Sequence, residues 1–225
     1  MSDEKNEQKY EFEVKTAILI DGGFYRKRAY YHWGAKSPED RAKELFSFCM
    51  RLLNNKSERR QLYRIFYYDC PPISKKVYHP LLKRTIDLGK SDEYKWATDF
   101  FNELRCKRKF AVRLGNLSES TARYNLKPDV VKKLMNGDLS ISELTESDFQ
   151  FYVEQKGVDM RIGVDIISMA LKKQVDQIIL VSGDSDFVPA AKQGRREGLD
   201  IILAPMGATI KPDLHEHIDG LTNKI

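Results

Sequence analysis

Apolar and polar positions along the 225-residue chain alternate between short β-rich runs and longer stretches of helical period. The run Val14-Lys15-Thr16-Ala17-Ile18-Leu19-Ile20 stops abruptly at Asp21-Gly22-Gly23, which predicts a strand followed by a tight turn. Ser37-Pro38-Glu39-Asp40 has the start signature of a helix, and Leu45, Phe46, Cys49, Leu52 and Leu53 then share one face at helical spacing. Residues 62–68 predict a second strand, closed by Asp69-Cys70-Pro71-Pro72. Residues 78–104 predict a long helical region interrupted at Gly89, and 109–114 a third strand. The pattern weakens over 115–150, which reads as an insertion or irregular connection with one short helix near 129–134. Order returns at Phe151-Tyr152-Val153, followed by a helix over 160–172, a strand over 177–181 and a helix running to about Arg196. A strand over 200–204 and a tail with one more short helix complete the chain.

This succession predicts an α/β fold. Continuous apolar strands linked by helices indicate a mostly parallel sheet covered on both faces. Residues 1–13 read as a polar tail and 14–225 as a single domain enlarged by the 115–150 region. Hydrophobic residues at 41% and charged residues at 32% exclude disordered, collagen-like and coiled-coil chains. No apolar run approaches the roughly 20 residues of a membrane span, and the polar start lacks the features of a signal peptide, so the expected location is cytoplasmic. Cys49, Cys70 and Cys106 are far apart, and His215 and His217 are the only closely spaced histidines. Neither a disulfide framework nor a zinc knuckle is predicted, and the cysteines read as buried thiols. The 38 Lys+Arg against 33 Asp+Glu leave a net charge of +5, weak evidence for a polyanion partner unless the cations are concentrated on one face.

Candidate chemistry lies in the aspartates. In an open parallel sheet the reactive crevice lies beyond the carboxyl ends of the strands. Asp21 follows the first strand, Asp184 and Asp186 follow the strand over 177–181, and Asp159 precedes the helix leading into that strand. Each alone reads equally well as a helix or turn cap. Together they predict one acidic cluster, whose repulsion a divalent cation would resolve; oxygen-only ligands favour Mg2+ or Mn2+. Asp165 lies about 240° further round the same helix than Asp159 and ranks below these four. Ser182 and Gly183 shape the adjoining loop and are candidates for contact with substrate. Lys27 and Arg28 just after Asp21, Lys156 and Arg161 on either side of Asp159, and a second basic group at Arg105, Lys107, Arg108 and Lys109 suit a phosphate backbone. Tyr25, Tyr30, Tyr31 and Trp33 read either as stacking platforms for bases or as core. Neither GxGxxG nor GxxxxGK[ST] occurs, which speaks against nucleotide-cofactor binding. A haloacid-dehalogenase-type phosphatase would need Asp-x-Asp where this chain has Asp21-Gly22-Gly23.

The combination of Ile18-Leu19-Ile20-Asp21-Gly22-Gly23-Phe24, Lys156-Gly157-Val158-Asp159 and Val181-Ser182-Gly183-Asp184-Ser185-Asp186-Phe187 resembles the NYN-domain family of PIN-like nucleases, especially its bacterial LabA-like group. The resemblance implies a PIN-like three-layer fold with a central, mostly parallel sheet and a magnesium- or manganese-dependent ribonuclease centre. By motif match, Asp21, Asp159, Asp184 and Asp186 take the family's metal-binding and catalytic roles. RNA becomes the expected partner, and a homodimer is common in such small domains. Phe24 departs from the family pattern, which has asparagine at that position. The alternative is an RNA-binding regulatory module of the same fold with weak or absent turnover.

Overall fold

A computed structural model of the chain describes residues 13–55 and 58–225; of the expected tail, residues 1–12 lie outside them. Strand β1 (Glu13–Asp21) leads directly into helix α1 (Gly22–Trp33), followed by α2 (Pro38–Leu53) and β2 (Arg59–Asp69). A small hairpin, β3 (Lys76–His79) and β4 (Arg84–Asp87), precedes α3 (Asp92–Arg105) and β5 (Phe110–Leu114). Next come β6 (Asn116–Leu126), α4 (Pro128–Asn136) and β7 (Phe149–Lys156). The chain then continues through α5 (Val158–Leu171), β8 (Gln177–Val181), α6 (Val188–Arg196), β9 (Asp200–Leu203), α7 (Pro212–Glu216) and β10 (Gly220–Leu221). Six strands form one parallel sheet in the order β10-β9-β8-β1-β2-β5.

Alternation along the central strands builds three layers. Ile18, Ile20, Ile65, Tyr67, Ile179 and Val181 pack on one face against Tyr25 and Ala29 of α1, Leu45 and Phe48 of α2, and Phe100 and Leu104 of α3. Ala17, Leu19, Phe66, Tyr68, Ile178 and Leu180 pack on the other against Ile162 and Ile166 of α5 and Ala190 and Ala191 of α6. Residues 17–20 are wholly buried because β1 lies inside the sheet with a helical layer on each side. Burial of each such side chain contributes about 1.5–3 kcal/mol. The result is an α/β sandwich of the PIN-like three-layer type.

Three expectations change. First, the region 78–104 is not one interrupted helix. Val77 and His79 are buried while Lys76 and Tyr78 are exposed, the period of a strand, and β3 pairs antiparallel with β4. The helix begins only at Asp92, where the Ser91 side chain accepts a hydrogen bond from the Tyr94 backbone. Second, the turn after β1 is itself the start of α1, capped by the Asp21 carboxylate. Third, Cys106 is exposed, whereas Cys49 and Cys70 are buried. In the 115–150 region, α4 is flanked by two strands, β6 and β7, that pair antiparallel. Their polar sequence reflects a ribbon lying off the central sheet, with a bulge between Ser118 and Arg123 that disturbs the alternation.

Candidate functional site

Parallel pairing brings the carboxyl ends of β1, β2 and β8 to one edge of the sheet. There Asp21 ends β1 and caps α1, its Oδ1 accepting a hydrogen bond from the Phe24 backbone N–H at 3.1 Å. Ser182, 0% exposed, is a hub directly after β8. Its hydroxyl donates to Asp21 Oδ2 at 3.5 Å and accepts from the Asp184 N–H at 3.2 Å. Asp184 in turn caps the short turn that follows, accepting from the Asp186 N–H at 3.1 Å. Asp159 stands in the first turn of α5. The dipoles of these helix starts favour carboxylates there.

Glycine permits the close approaches that the arrangement needs. A Cβ on Gly22 would lie 2.6 Å from Asp69 Oδ2 and 2.6 Å from the Tyr68 carbonyl oxygen, so only glycine lets α1 start against the end of β2. A Cβ on Gly183 would meet the Phe24 ring at 2.9 Å. Phe24 therefore acts as a packing lid on the loop rather than as a polar group.

Burial raises the Asp69 pKa as it does those of Asp21 and Asp159, and ion pairing is what separates two kinds of aspartate. Burial raises the Asp21 pKa above the usual aspartate value against the Phe24 hydrogen bond, and the charges of Asp159, Asp69 and Asp184 raise it further. Desolvation likewise raises Asp159, with Asp184 and Asp186 adding to the shift. Asp21 is thus within electrostatic reach of Asp159 and Asp184, and Asp159 of Asp184 and Asp186. Among the described residues none of them forms an ion pair. Asp69 and Asp165 do. Asp69 receives Arg26 Nη2 at 3.0 Å, the Cys70 N–H at 2.8 Å and the Tyr67 hydroxyl at 3.2 Å. Asp165 receives Arg113 Nε at 3.0 Å and the Tyr68 hydroxyl at 2.8 Å.

Of the basic residues singled out in the sequence, Lys156 and Arg161 are exposed beside Asp159. Lys27 is exposed on α1, while Arg28 donates to the Met206 carbonyl through Nε and Nη2 and is committed to the fold. The group at Arg105, Lys107, Arg108 and Lys109 precedes β5 and so lies at the amino end of the parallel sheet, opposite the aspartates. Tyr25 is core and Trp33 packs against it, whereas Tyr30 and Tyr31 are exposed. Asp69 and Lys211 lie outside the residues the sequence singles out, and Arg26 belongs to the basic run Phe24-Tyr25-Arg26-Lys27-Arg28 without any sign of its pairing with Asp69. Asp69 carried the same signal as Asp21, an aspartate ending an apolar strand. Arg26 sits one position before the pair that was chosen. Lys211, whose Nζ donates to Ser185 Oγ at 3.2 Å, had no local signal.

The NYN domain family profile matches residues 91–219, more than half of the chain. The chain belongs to the NYN-domain family. That match contains Asp159, Asp184 and Asp186, so Asp21 and Asp69 are brought to the same edge by strands outside it. NYN domains are PIN-like nucleases and generally use divalent metal ions. No curated protein matches the chain. A crystal structure of a protein of unknown function from Vibrio parahaemolyticus is similar, with 16% identity over 94% of this chain and 93% of that one and a TM-score of 0.48. As they stand, no three Asp, Glu, His or Cys side chains among the described residues converge to enclose an ion. The donors nonetheless suit a hard cation in kind: four oxygen-bearing carboxylates with no cation of their own. No helix among the described residues is long and apolar enough to cross a membrane.

Proposed function

We propose that this NYN domain is a ribonuclease that hydrolyses RNA phosphodiester bonds with Mg2+ or Mn2+ held by Asp21, Asp159, Asp184 and Asp186, and that it is closest to the LabA-like group. One observation supports the proposal: Asp184 raises the pKa of both Asp21 and Asp159, Asp186 raises that of Asp159, and none of the four has an ion-pair partner among the described residues, while Asp69 and Asp165 are each matched with an arginine. Like charges left together in partial burial are costly unless a cation joins them. A bound divalent ion supplies positive charge to the phosphate and lowers the pKa of water.

The chain's own residues set the rest. The Phe24 N–H and Ser182 hydroxyl orient the Asp21 carboxylate, and Ser182 with Gly183 holds the loop that presents Asp184 and Asp186. Ser182 is wholly buried, so its role is to position these groups rather than to touch RNA. Arg26 holds Asp69 in place at the wall of the cluster. Lys156, Arg161 and Lys211 are the exposed cations suited to flanking phosphates, with Lys27 further out on α1. The free cysteines accord with a cytoplasmic location, and a homodimer remains part of the proposal through the family resemblance.

A second reading, RNA binding with weak or no turnover, is favoured by one feature. Phe24 puts an apolar ring where the family pattern has a polar side chain, and that ring packs on Gly183. The test is incubation of the full chain with single- and double-stranded RNA and DNA, with Mg2+, Mn2+ or EDTA, beside Asp21→Asn and Asp184→Asn. RNA cleavage that needs metal and both aspartates supports the ribonuclease. Equal cleavage by wild type and variants overturns the assigned site, and binding without cleavage across the panel selects the second reading.

A further inference from the structure

The two faces of the sheet are not equally covered. On the face packed by α5 and α6 the helical layer covers β1, β8, β9 and the carboxyl end of β2, where Phe66 and Tyr68 are buried, while Tyr63 of β2 and Ala111 of β5 are only partly buried and border open space. Two cavities fill that space. One, of about 430 Å3, is bounded by Gly157, Met160, Arg161 and Val164; the next, of about 390 Å3, is bounded by Tyr63, Arg64, Phe66 and Lys172. Both are lined by Arg113 and Asp165, so they lie in a row along α5 on either side of that ion pair and together make a surface groove that the pair crosses. At 1.5 Å per residue the helix gives it a length of about 20 Å. One end opens at Gly157, two residues from Asp159.

The walls have a definite chemistry. Arg64, Arg113, Arg161 and Lys172 contribute four positive charges against the single carboxylate of Asp165, which already receives Arg113 and the Tyr68 hydroxyl. Between the cations, α5 leaves apolar surface in solvent: Met160 is 74% exposed and Val164 58%. A register shift aids this arrangement. Thr16 pairs with Leu62 and Ile18 with Ile65, so β2 holds one extra residue there, and both Tyr63 and Arg64 line the groove.

We propose that this groove binds the single-stranded RNA leading away from the scissile bond, with phosphates on the cations and base faces on the exposed side chains of α5. The inference rests on the ribonuclease reading for its direction and deepens it by assigning a path and a strand state. Charge complementarity and continuity with the aspartate cluster favour RNA. An acidic protein segment lying in the groove would run its end into Asp159, where a substrate phosphate belongs. The groove accommodates about four nucleotides, the short end of known single-strand sites.

Binding of fluorescently labelled single-stranded RNAs of about four and about twelve nucleotides, measured in EDTA to prevent turnover, tests the path. The proteins are the full wild-type chain and the double variant Arg64→Glu, Lys172→Glu, both changes at exposed positions, with melting temperature as the fold control. Wild type is expected to bind the longer RNA at least about 10-fold more tightly, and the variant to lose that gain. Its log affinity–log salt slope should also fall by about 1.4, the loss of two single-strand phosphate contacts. Arg64→Lys with Lys172→Arg should restore both. A length gain and salt slope unchanged in the charge-reversed protein overturn the groove, even if the wild type cleaves RNA. Groove-dependent binding without cleavage under any metal overturns the ribonuclease and leaves the groove standing.

Discussion

Asp165 and the strand-end cluster are two acidic regions, with Asp165 about 9 Å along α5 from Asp159, and they handle negative charge in opposite ways. Around Asp165 the chain provides its own counterion, Arg113 Nε at 3.0 Å from the strand beyond β2, and a hydrogen-bond donor, the Tyr68 hydroxyl at 2.8 Å from β2 itself. Around Asp21 it provides one backbone N–H, a distant serine hydroxyl, the nearby charge of Arg26, which is paired directly with Asp69, and the repulsion of further carboxylates. A carboxylate that serves the fold is matched by a cation in the same chain. One that is left unmatched next to its own kind is open to a cation from outside.

This contrast can be broken experimentally. The largest effect is expected at the unmatched set: Asp21→Asn or Asp184→Asn should lower metal-dependent RNA cleavage at least about 100-fold, the range for loss of one preorganised electrostatic group, while the variants melt no earlier than wild type. Retained cleavage would erase the distinction between the two regions. At the matched set the effect should fall on stability. Asp165→Ala leaves Arg113 and the Tyr68 hydroxyl without their acceptor and should cost about 2–3 kcal/mol, read from urea unfolding. A cost near zero would mean that this pair does not hold α5 to the sheet. Gly183→Ala, which drives a Cβ into the Phe24 ring, should cost about 1–2 kcal/mol, and Phe24→Leu in the same chain should recover part of it.

The smallest effects sharpen the electrostatic side. Because the Asp21 and Asp159 pKa values are raised in the folded chain, their contribution to stability is present at low pH and is lost as pH rises through the folded values. Metal-free Asp21→Asn should therefore be more stable than wild type at neutral pH by less than about 1 kcal/mol, with the difference vanishing in acid. Millimolar Mn2+ should raise the wild-type melting temperature at neutral pH and leave that of Asp21→Asn nearly unchanged, since only a ligand that binds the folded state shifts the transition. A variant less stable than wild type at neutral pH would show that the cluster is held by contacts outweighing its repulsion.

Much of the frame could be read from residue order. The strands around Ile18, Phe66 and Leu180 are continuous apolar runs because both faces are covered, and such runs identify themselves. The region at 78–104 was harder, because β3 and β4 are four residues each, too short for a period-2 pattern to stand out from a helical one. Helix α1 was obscured for another reason. Its first two residues are glycines, ordinarily a turn signal, and Gly22 is there because α1 closes on Asp69 rather than because the chain turns. Asp159, Asp184 and Asp186 were legible from their positions at element ends. Asp69 carried the same mark but was passed over, and its pairing with Arg26 was invisible because the partners come from different elements.

By itself the sequence determined which residue types stand at strand ends, and hence that a parallel sheet would carry several aspartates toward one edge; period and punctuation are local properties of the chain. Tertiary structure alone decided which aspartates receive an arginine. Arg26 turns inward to Asp69 while Arg28 goes to Met206, two outcomes that positions two residues apart on one helix do not reveal until the helix is packed. It also decided that the group at 105–109 lies at the wrong end of the sheet for the cluster, and that cavities open between α5 and the partly buried side chains of β2 and β5. Ion pairs and grooves depend on distances between elements remote in sequence, and the packing of helices on the sheet sets those distances.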